Sequence, residues 1–350
     1  MRLYVGFITY GKSTSKYLSY FLPSLKASIS QEVKIVVVDN SDEEVNENSI
    51  YIKNNFPEID LSWAGKNLGF AKAFNKMIRR SINDGARYFL ALNPDMIFEP
   101  NFIEAMVRVM ESDKKIGAVA PKILKWDFTN NRKTDQIDSL GLSLTREHRF
   151  FDEHQGEPDN PGLNTVHEVF GFTGAAALLN LAALEDVAYQ EKSPLAPPCR
   201  GGESTEYFDE LMFMYKEDCD LSYRLRLAGW KIVLAPQALA YHNRAVAAKG
   251  KTNLQIALNR RHKSRLVKKW SFLNQWILLL KLKNFPFSFG VKLATGWYQI
   301  KSLLFVSLFE PFLLKELVKL WRLRPEIKKR RERLRLDIEI KELEKFMYDI

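Results

Sequence analysis

The sequence predicts an α/β fold: an open, mostly parallel sheet flanked by helices, followed by a helical C-terminal region. Three observations predict it. Residues 33–38, VKIVVV, are apolar but for Lys34 and end in Asp39-Asn40-Ser41. A run without polar alternation suits a strand buried on both faces, as in a parallel sheet. Strand-like and helix-like patterns alternate over the first ~120 residues, as in β-α-β units. The chain then changes character near its end. From Arg244 to Ile350 there are 25 Lys+Arg against 9 Asp+Glu, whereas the preceding residues carry 27 against 33.

Each element has its own signal. Residues 3–9 are β-branched and aromatic, and read as a first strand and not a signal peptide, because no small-residue cleavage site follows. Residues 61–64 make a short third strand. Residues 70–80 place Phe70, Ala73, Phe74, Met77 and Ile78 on one helical face. Residues 88–92 are a fourth strand ending in Asn93-Pro94-Asp95, and 100–110 a helix with Pro at its start. Residues 116–120 are another strand. The polar stretch 125–166 reads as a long excursion with short strands such as 140–144, and excursions of that length are usually functional. Residues 169–180 form a strand-like apolar run with two glycines, and 195–204 a Pro/Gly loop. Residues 217–228 have helical periodicity with Gly229 as C-cap, and 230–235 form a strand.

Composition bounds the function. With 350 residues, 46% hydrophobic and 27% charged, the chain folds, and disorder is excluded. Two cysteines exclude a disulfide scaffold and a four-cysteine zinc site, and point to a reducing compartment. The basic tail calls for an anionic surface. No nucleic-acid motif accompanies the charge. Phe272, Trp276, Phe285, Trp297, Phe305 and Phe309 alternate with Lys281, Lys292, Lys301 and Lys315. That pattern matches helices lying in a membrane interface, with a helical subdomain that buries its own aromatics as the other reading. No uncharged apolar run reaches the ~18–20 residues needed to span a bilayer. Residues 324–346, rich in Lys, Arg and Glu, read as a solvated, charged helix, or as one whose basic half meets anionic headgroups.

Ligands of open α/β sheets bind outside the carboxyl ends of the strands. Thr9-Tyr10, Asp39-Asn40 and Asn93–Asp95 therefore share one crevice. Asn93 and Asp95 can offer two oxygens to a hard cation such as Mg²⁺ or Mn²⁺, or can simply make a turn. Asp39-Asn40 can bond a base or ribose, or form an Asx-turn. Glu217-Asp218 opens a helix, where acids suit the macrodipole, but a carboxylate held there also fits a general base. His242 is a core histidine or a neutral ligand.

Taken together, the segments IVVVDNS (35–41), NLGFAKAFN (67–75), ALNPD (91–95), GAVAPK (117–122), GFTGAA (171–176), FDELMF (208–213), YKEDCDLSYRLRLAG (215–229) and YHNR (241–244) resemble, in order, the family 2 glycosyltransferases of the GT-A fold, and within them the rhamnosyltransferase-like branch. The resemblance covers roughly residues 1–265. It implies a nucleotide-diphosphate sugar donor contacted by Thr9, Tyr10, Asp39, Asn40, Asn67, Gly69, Asn93, Gly174, Ala175 and Glu217. It implies a divalent metal (Mg or Mn) on Asp95 with Asn93 and His242, Asn93 replacing the first acid of the family's Asp-X-Asp motif. Asp218 is the implied catalytic base of an inverting transfer, while Arg224 and Trp230 are structural. After the first strand, Thr9-Tyr10-Gly11 departs from the family's Pro-Thr-Tyr-Asn-like run.

The expected donor is dTDP-L-rhamnose, with a UDP-hexose as alternative, and the expected acceptor a lipid-linked saccharide or polysaccharide of the cell surface. The expected organisation is a GT-A domain over 1–250, whose 1–124 half binds the nucleotide sugar and whose 125–250 half binds acceptor, and a basic, aromatic-rich helical region over 251–350. That region would hold the enzyme on the anionic inner face of the cytoplasmic membrane, or dimerise it. A sugar-phosphate nucleotidyltransferase would need a more Gly-rich phosphate loop than TYGKSTSK at 9–16, and a non-catalytic nucleotide-sugar-binding protein would not need Asp39, Asp95, Asp218 and His242 together.

Overall fold

The computed structural model describes residues 3–30, 32–190, 205–244, 260 and 263–349. Its first half alternates strands and helices: β1 (Leu3–Thr9), α1 (Gly11–Ala27), β2 (Val33–Asp39), α2 (Glu47–Asn55), β3 (Asp60–Trp63), α3 (Gly69–Asn83), β4 (Tyr88–Leu92), β5 (Met96–Phe98) and α4 (Phe102–Ser112). There follow β6 (Ile116–Asp127), β7 (Arg132–Ser139), β8 (Leu142–Thr145), β9 (Phe150–Asp152), β10 (His167–Glu168), β11 (Ala176–Asn180), α5 (Leu181–Val187), α6 (Glu217–Leu227) and β12 (Lys231–His242). The C-terminal part holds α7 (Arg265–Leu282), α8 (Phe289–Phe309), α9 (Lys315–Glu332), α10 (Ile340–Glu344) and β13 (Met347–Tyr348). The loop expected over 195–204 lies outside the described residues.

The main sheet runs β10-β12-β6-β11-β4-β1-β2-β3, with β5 paired to β12 and β7 to β6. Strands β4, β1, β2 and β3 are mutually parallel, and β11 runs antiparallel between β4 and β6. The predicted parallel core is therefore present inside a mixed sheet. Alternation along the strands sends side chains to two layers. Leu3, Val5 and Phe7 pack with Phe21, Leu22 and Met106 on one face. Tyr4, Val36 and Val38 pack with Phe74, Met77 and Leu225 on the other. Thr9 lies level with Asp39, and Phe7 with Leu92, so three strand ends open together.

Two elements differ from their sequence patterns. The run 169–180 yields only a five-residue strand, because its first half leaves the sheet to approach α6: a Cβ on Gly171 would lie 2.6 Å from Ser222 Oγ. The strand expected over 230–235 continues to His242, because a register shift between Ala235 and Leu239 takes up Pro236, which cannot donate a ladder bond.

The C-terminal helices share a core with the preceding part of the chain. Leu273, Ile277, Leu278, Leu320, Ile327, Leu343 and Met347 pack with Leu144, Phe170, Met212, Tyr223 and Leu227. The charged stretch after Trp321 is not a plain solvated helix. Ile327 and Arg330 are buried, and Arg330 donates to Asp209 (2.8 Å) and Glu206 (2.8 Å). A buried guanidinium needs such acids, and the sequence does not show where they lie. Among the described residues, no helix is long and apolar enough to cross a membrane.

Candidate active site

A cavity of about 250 Å³ opens at the carboxyl ends of β1, β2 and β4. Tyr10, Asn40, Asn67, Gly69, Asn93 and Asp95 line it, together with Thr14, Tyr17, Phe70 and Met214. A larger cavity of about 670 Å³ lies at the other end of the sheet, between Leu3, Leu22 and Phe56. Four charged groups there pair, Lys34 with Asp84 and Lys26 with Glu58, while Glu32 also lines it. The strand-end cavity is the one that gathers Asn40, Asn67, Asn93 and Asp95.

Asn40 is fixed by two bonds, donating to Gly69 O (3.2 Å) and accepting from Leu68 N–H (3.3 Å). Those bonds join β2 to the start of α3. Gly69 is required at this place. Its φ is +73°, and a Cβ would lie 2.4 Å from Phe213 O. The neighbouring Phe70 N–H donates to that same oxygen at 2.8 Å. Gly69→Ala is expected to push the 213–214 strand of chain away from the cavity and to cost about 1–3 kcal/mol in stability. Urea unfolding of the variant checks this, and an unchanged midpoint would refute it.

Asp39 and Thr9 are not on the cavity wall. Asp39 is fully buried; its carboxylate accepts from Ser41 Oγ (2.6 Å), Ser41 N–H (3.1 Å) and Asn46 Nδ2 (2.6 Å). Thus the Asx-turn reading describes its contacts. Thr9 is also fully buried, and its Oγ1 has no hydrogen-bond partner among the described residues.

The acid motif and His242 come together. Antiparallel pairing of β12 with β5 sets His242 opposite Met96. His242 Nε2 then lies 3.3 Å from Asp95 Oδ1, and Nδ1 lies 2.9 Å from Asp138 Oδ2. Arg244 reaches the same Asp138 (3.0 Å) and also pairs with Asp152. Burial pulls the imidazole pKa down, but Asp95 and Asp138 outweigh it and raise it to about 9. Two carboxylates here favour a positive charge between them, either the imidazolium's own or, once Nε2 gives up its proton, that of a divalent cation. An imidazole oriented through one nitrogen by a carboxylate, with the other nitrogen beside a second carboxylate, suits divalent-cation ligation. Among the described residues no group of three or more His, Cys, Asp or Glu is arranged to hold a metal. The protein thus offers Asp95 and His242 as a partial donor set.

Asp218 stands at the first turn of α6, partly exposed. Its Oδ2 accepts from Gly174 N–H (2.8 Å) and its Oδ1 from Cys219 N–H (2.7 Å). Burial lifts its carboxyl above the usual aspartate range, against the pull of those N–H groups. One residue on from Gly174, Ala175 O accepts from Asn93 N–H at 2.8 Å. A short path of backbone bonds therefore links Asp218 to the Asn93–Asp95 turn. Glu217 is buried beside it, lifted well above its usual range by burial and then by Asp218, and its Oε2 lacks a partner among the described residues. Tyr215 and Lys216 just before it are both left-handed, at φ +68° and +69°. Such strain needs support. Asn274 of α7 supplies it, donating to Met214 O (2.9 Å) and Tyr215 O (2.7 Å).

The sequence model of glycosyl transferase family 2 matches residues 4–179, half of the chain. The chain belongs to this family. Two strains of Mycobacterium tuberculosis carry a relative named N-acetylglucosaminyl-diphospho-decaprenol L-rhamnosyltransferase. It is 26% identical over 258 residues, covering 68% of this chain and 75% of the relative. A probable glucomannan 4-beta-mannosyltransferase 11 of Arabidopsis thaliana is 24% identical over 164 residues, covering 47% of this chain and 30% of that protein. Among solved structures, GalNAc-T7 with UDP, GalNAc and Mn²⁺ superposes with a TM-score of 0.50 at 12% identity, over 89% of this chain and 58% of that one. That likeness concerns the fold, which is GT-A.

In this glycosyltransferase, Asn40, Asn67, Gly69, Asn93 and Asp95 meet in one cavity, while Gly174, Ala175, Glu217 and Asp218 form a linked group beside it. Arg224 is structural, as expected: it is buried, donates to Asp220 (2.9 Å) and to Val187 O (2.8 Å), and bonds Tyr207 O. Sequence reasoning missed Asp138, Arg244, Met214 and Asn274. Asp138 sits in the polar excursion, where nothing in its neighbours marks it. Arg244, two residues after His242, carried the only available signal.

Proposed function

We propose that the enzyme transfers L-rhamnose from dTDP-L-rhamnose to a lipid-linked saccharide, with inversion at the anomeric carbon. The observation that carries the chemistry is Asp218, a carboxylate of raised proton affinity fixed by the Gly174 N–H. The sugar and acceptor rest on the relative named as a decaprenol-diphosphate rhamnosyltransferase. Residues 1–250 would form the catalytic unit, with donor held by the 1–124 half and acceptor by the 125–250 half.

Asp218 takes the proton of the acceptor hydroxyl as that oxygen bonds to the anomeric carbon. The nucleoside diphosphate leaves from the opposite face with the bonding pair. One base and one displacement suffice, hence inversion. Asn40 and Asn67 orient the nucleoside, and Tyr10 borders it; Asp39 acts by fixing the Ser41–Asn46 turn below. Asp95 and His242 would hold a divalent cation, Mg²⁺ or Mn²⁺, which when bound offsets the charge of a leaving diphosphate. A lipid-linked acceptor would be met at the inner face of the cytoplasmic membrane, with the enzyme as a peripheral protein there.

Thermal unfolding with dTDP, UDP and GDP, each with and without Mn²⁺, tests this. A nucleotide at 100 times its dissociation constant adds about 2.7 kcal/mol. Stabilisation by dTDP that needs Mn²⁺, and that Asp95→Ala removes, is the expected result. A response to UDP alone would replace the donor with a UDP-hexose, and an undiminished response in Asp95→Ala would remove Asp95 from the cation site.

A further inference from the structure

Helix α8 packs one face on the protein and turns a row of large apolar side chains the opposite way. Val291, Gln299 and Val306 are buried against the protein, and Thr295 Oγ1 donates to Arg146 O at 3.1 Å. The other face carries Phe289, Leu293, Trp297, Ile300, Leu304 and Leu308, which are 81%, 61%, 60%, 53%, 59% and 74% exposed. At 3.6 residues per turn these six fall within an arc of about 100°. Lys292 and Lys301 flank the arc on its two sides, both exposed. A soluble helix normally buries one stripe and turns polar groups outward. Here a row of large side chains about 30 Å long faces outward, larger than a scattering of single exposed hydrophobics.

We propose that this face of α8 lies flat in the interface of an anionic bilayer, its six side chains among the acyl chains and its two lysines at the headgroups. The proposal deepens the reading of a lipid-linked acceptor and rests on it for its biological sense. The occupant follows from charge and shape. Residues 244–350 carry 25 basic against 9 acidic groups, so an anionic surface is attracted. The flanking lysines can extend their ends to the headgroups while their stems stay apolar. α8 cannot instead cross the bilayer, since its opposite face packs on the protein and no described helix qualifies as a span. Val318 and Trp321 of α9, 55% and 65% exposed beside Arg322 and Arg324, extend the same composition.

The test uses the full chain and vesicles of phosphatidylcholine with or without phosphatidylglycerol. Wild type is expected to co-sediment with the anionic vesicles. The variant Leu293→Gln/Trp297→Gln/Leu304→Gln should bind them roughly a hundredfold more weakly, with an unchanged unfolding midpoint and unchanged transfer to a short-chain, water-soluble acceptor. Undiminished binding by the variant would overturn the proposal. So would a wild type that ignores vesicles and sediments as a dimer that the variant dissociates, which would make the face an interface between copies. Vesicle binding with no transfer to any lipid-linked acceptor would instead refute the acceptor while leaving the surface intact.

Discussion

Replacing Asp218 by Asn is expected to slow sugar transfer by about 10²–10⁴-fold, with nucleotide affinity near that of the wild type. The amide keeps the shape of the carboxylate but cannot take a proton. It also cannot serve both N–H groups that the carboxylate accepts from, Gly174 and Cys219, so a modest loss of stability accompanies the lost rate. Single-turnover measurement with saturating donor separates the two effects. A variant that retains more than a few per cent of transfer would remove Asp218 as the base. The pH dependence adds a signature. A base acts only when charged, and burial raises the Asp218 pKa. The acid limb of kcat/KM should therefore sit above the ordinary aspartate value and rise with pH until the carboxyl is ionised. The residual activity of Asp218→Asn should lack that limb.

The second large effect is expected at a buried lysine. Lys281 of α7 is buried and donates to Asp209 at 2.7 Å and to Asp220. Asp220 lies on α6, two residues beyond Asp218, and also pairs with Arg224. Asp209 pairs with Arg330 of α9. Five buried charges thus join three helices. Lys281→Met leaves two buried carboxylates with one cation fewer, and is expected to cost about 3 kcal/mol. That is near the lower end for breaking such a group, because Arg224 and Arg330 remain. Urea unfolding measures it, and a loss below about 1 kcal/mol would show that the lysine is dispensable. The sign with pH is fixed by Asp209. Burial opposes its charge, yet Lys281 and Arg330 hold it at about 2, below the ordinary 3.8. The network's contribution is full above the ordinary value and is lost as pH falls from there through about 2. The variant should unfold at a higher pH than the wild type on acid titration.

What could be read in the sequence was what local pattern decides. The strands β1, β2, β4 and the start of β6 are apolar on both faces, and a strand so buried announces itself in the residue order. The strand-end location of Asn40, Asn93 and Asp95 followed from that. The meeting of His242 with Asp95 needs the β5–β12 pairing, which joins residues far apart in the chain and has no local signal. Asp39 is expected at the nucleotide from its place at a strand end and from the family resemblance; in the structure its carboxylate accepts from Ser41 and Asn46. Aromatic density in the C-terminal region was plain, whereas its division was not. Leu273 and Ile277 of α7 are buried in the shared core, and Leu293 and Trp297 of α8 face outward.

The pairing of β13 with β8, Met347 beside Leu144, has a consequence for how the enzyme is made. During synthesis the cavity strands leave the ribosome early, and α6 with Asp218 follows them. Yet the partners that steady α6, Lys281 on α7 and Arg330 on α9, come much later, and β13 later still. A nascent chain halted after residue 250 would hold the cavity residues, with Asp220 and Asp209 lacking Lys281 and Arg330. Newly made enzyme should thus gain activity only as its final helices dock, so that α8 is in place before any sugar is moved.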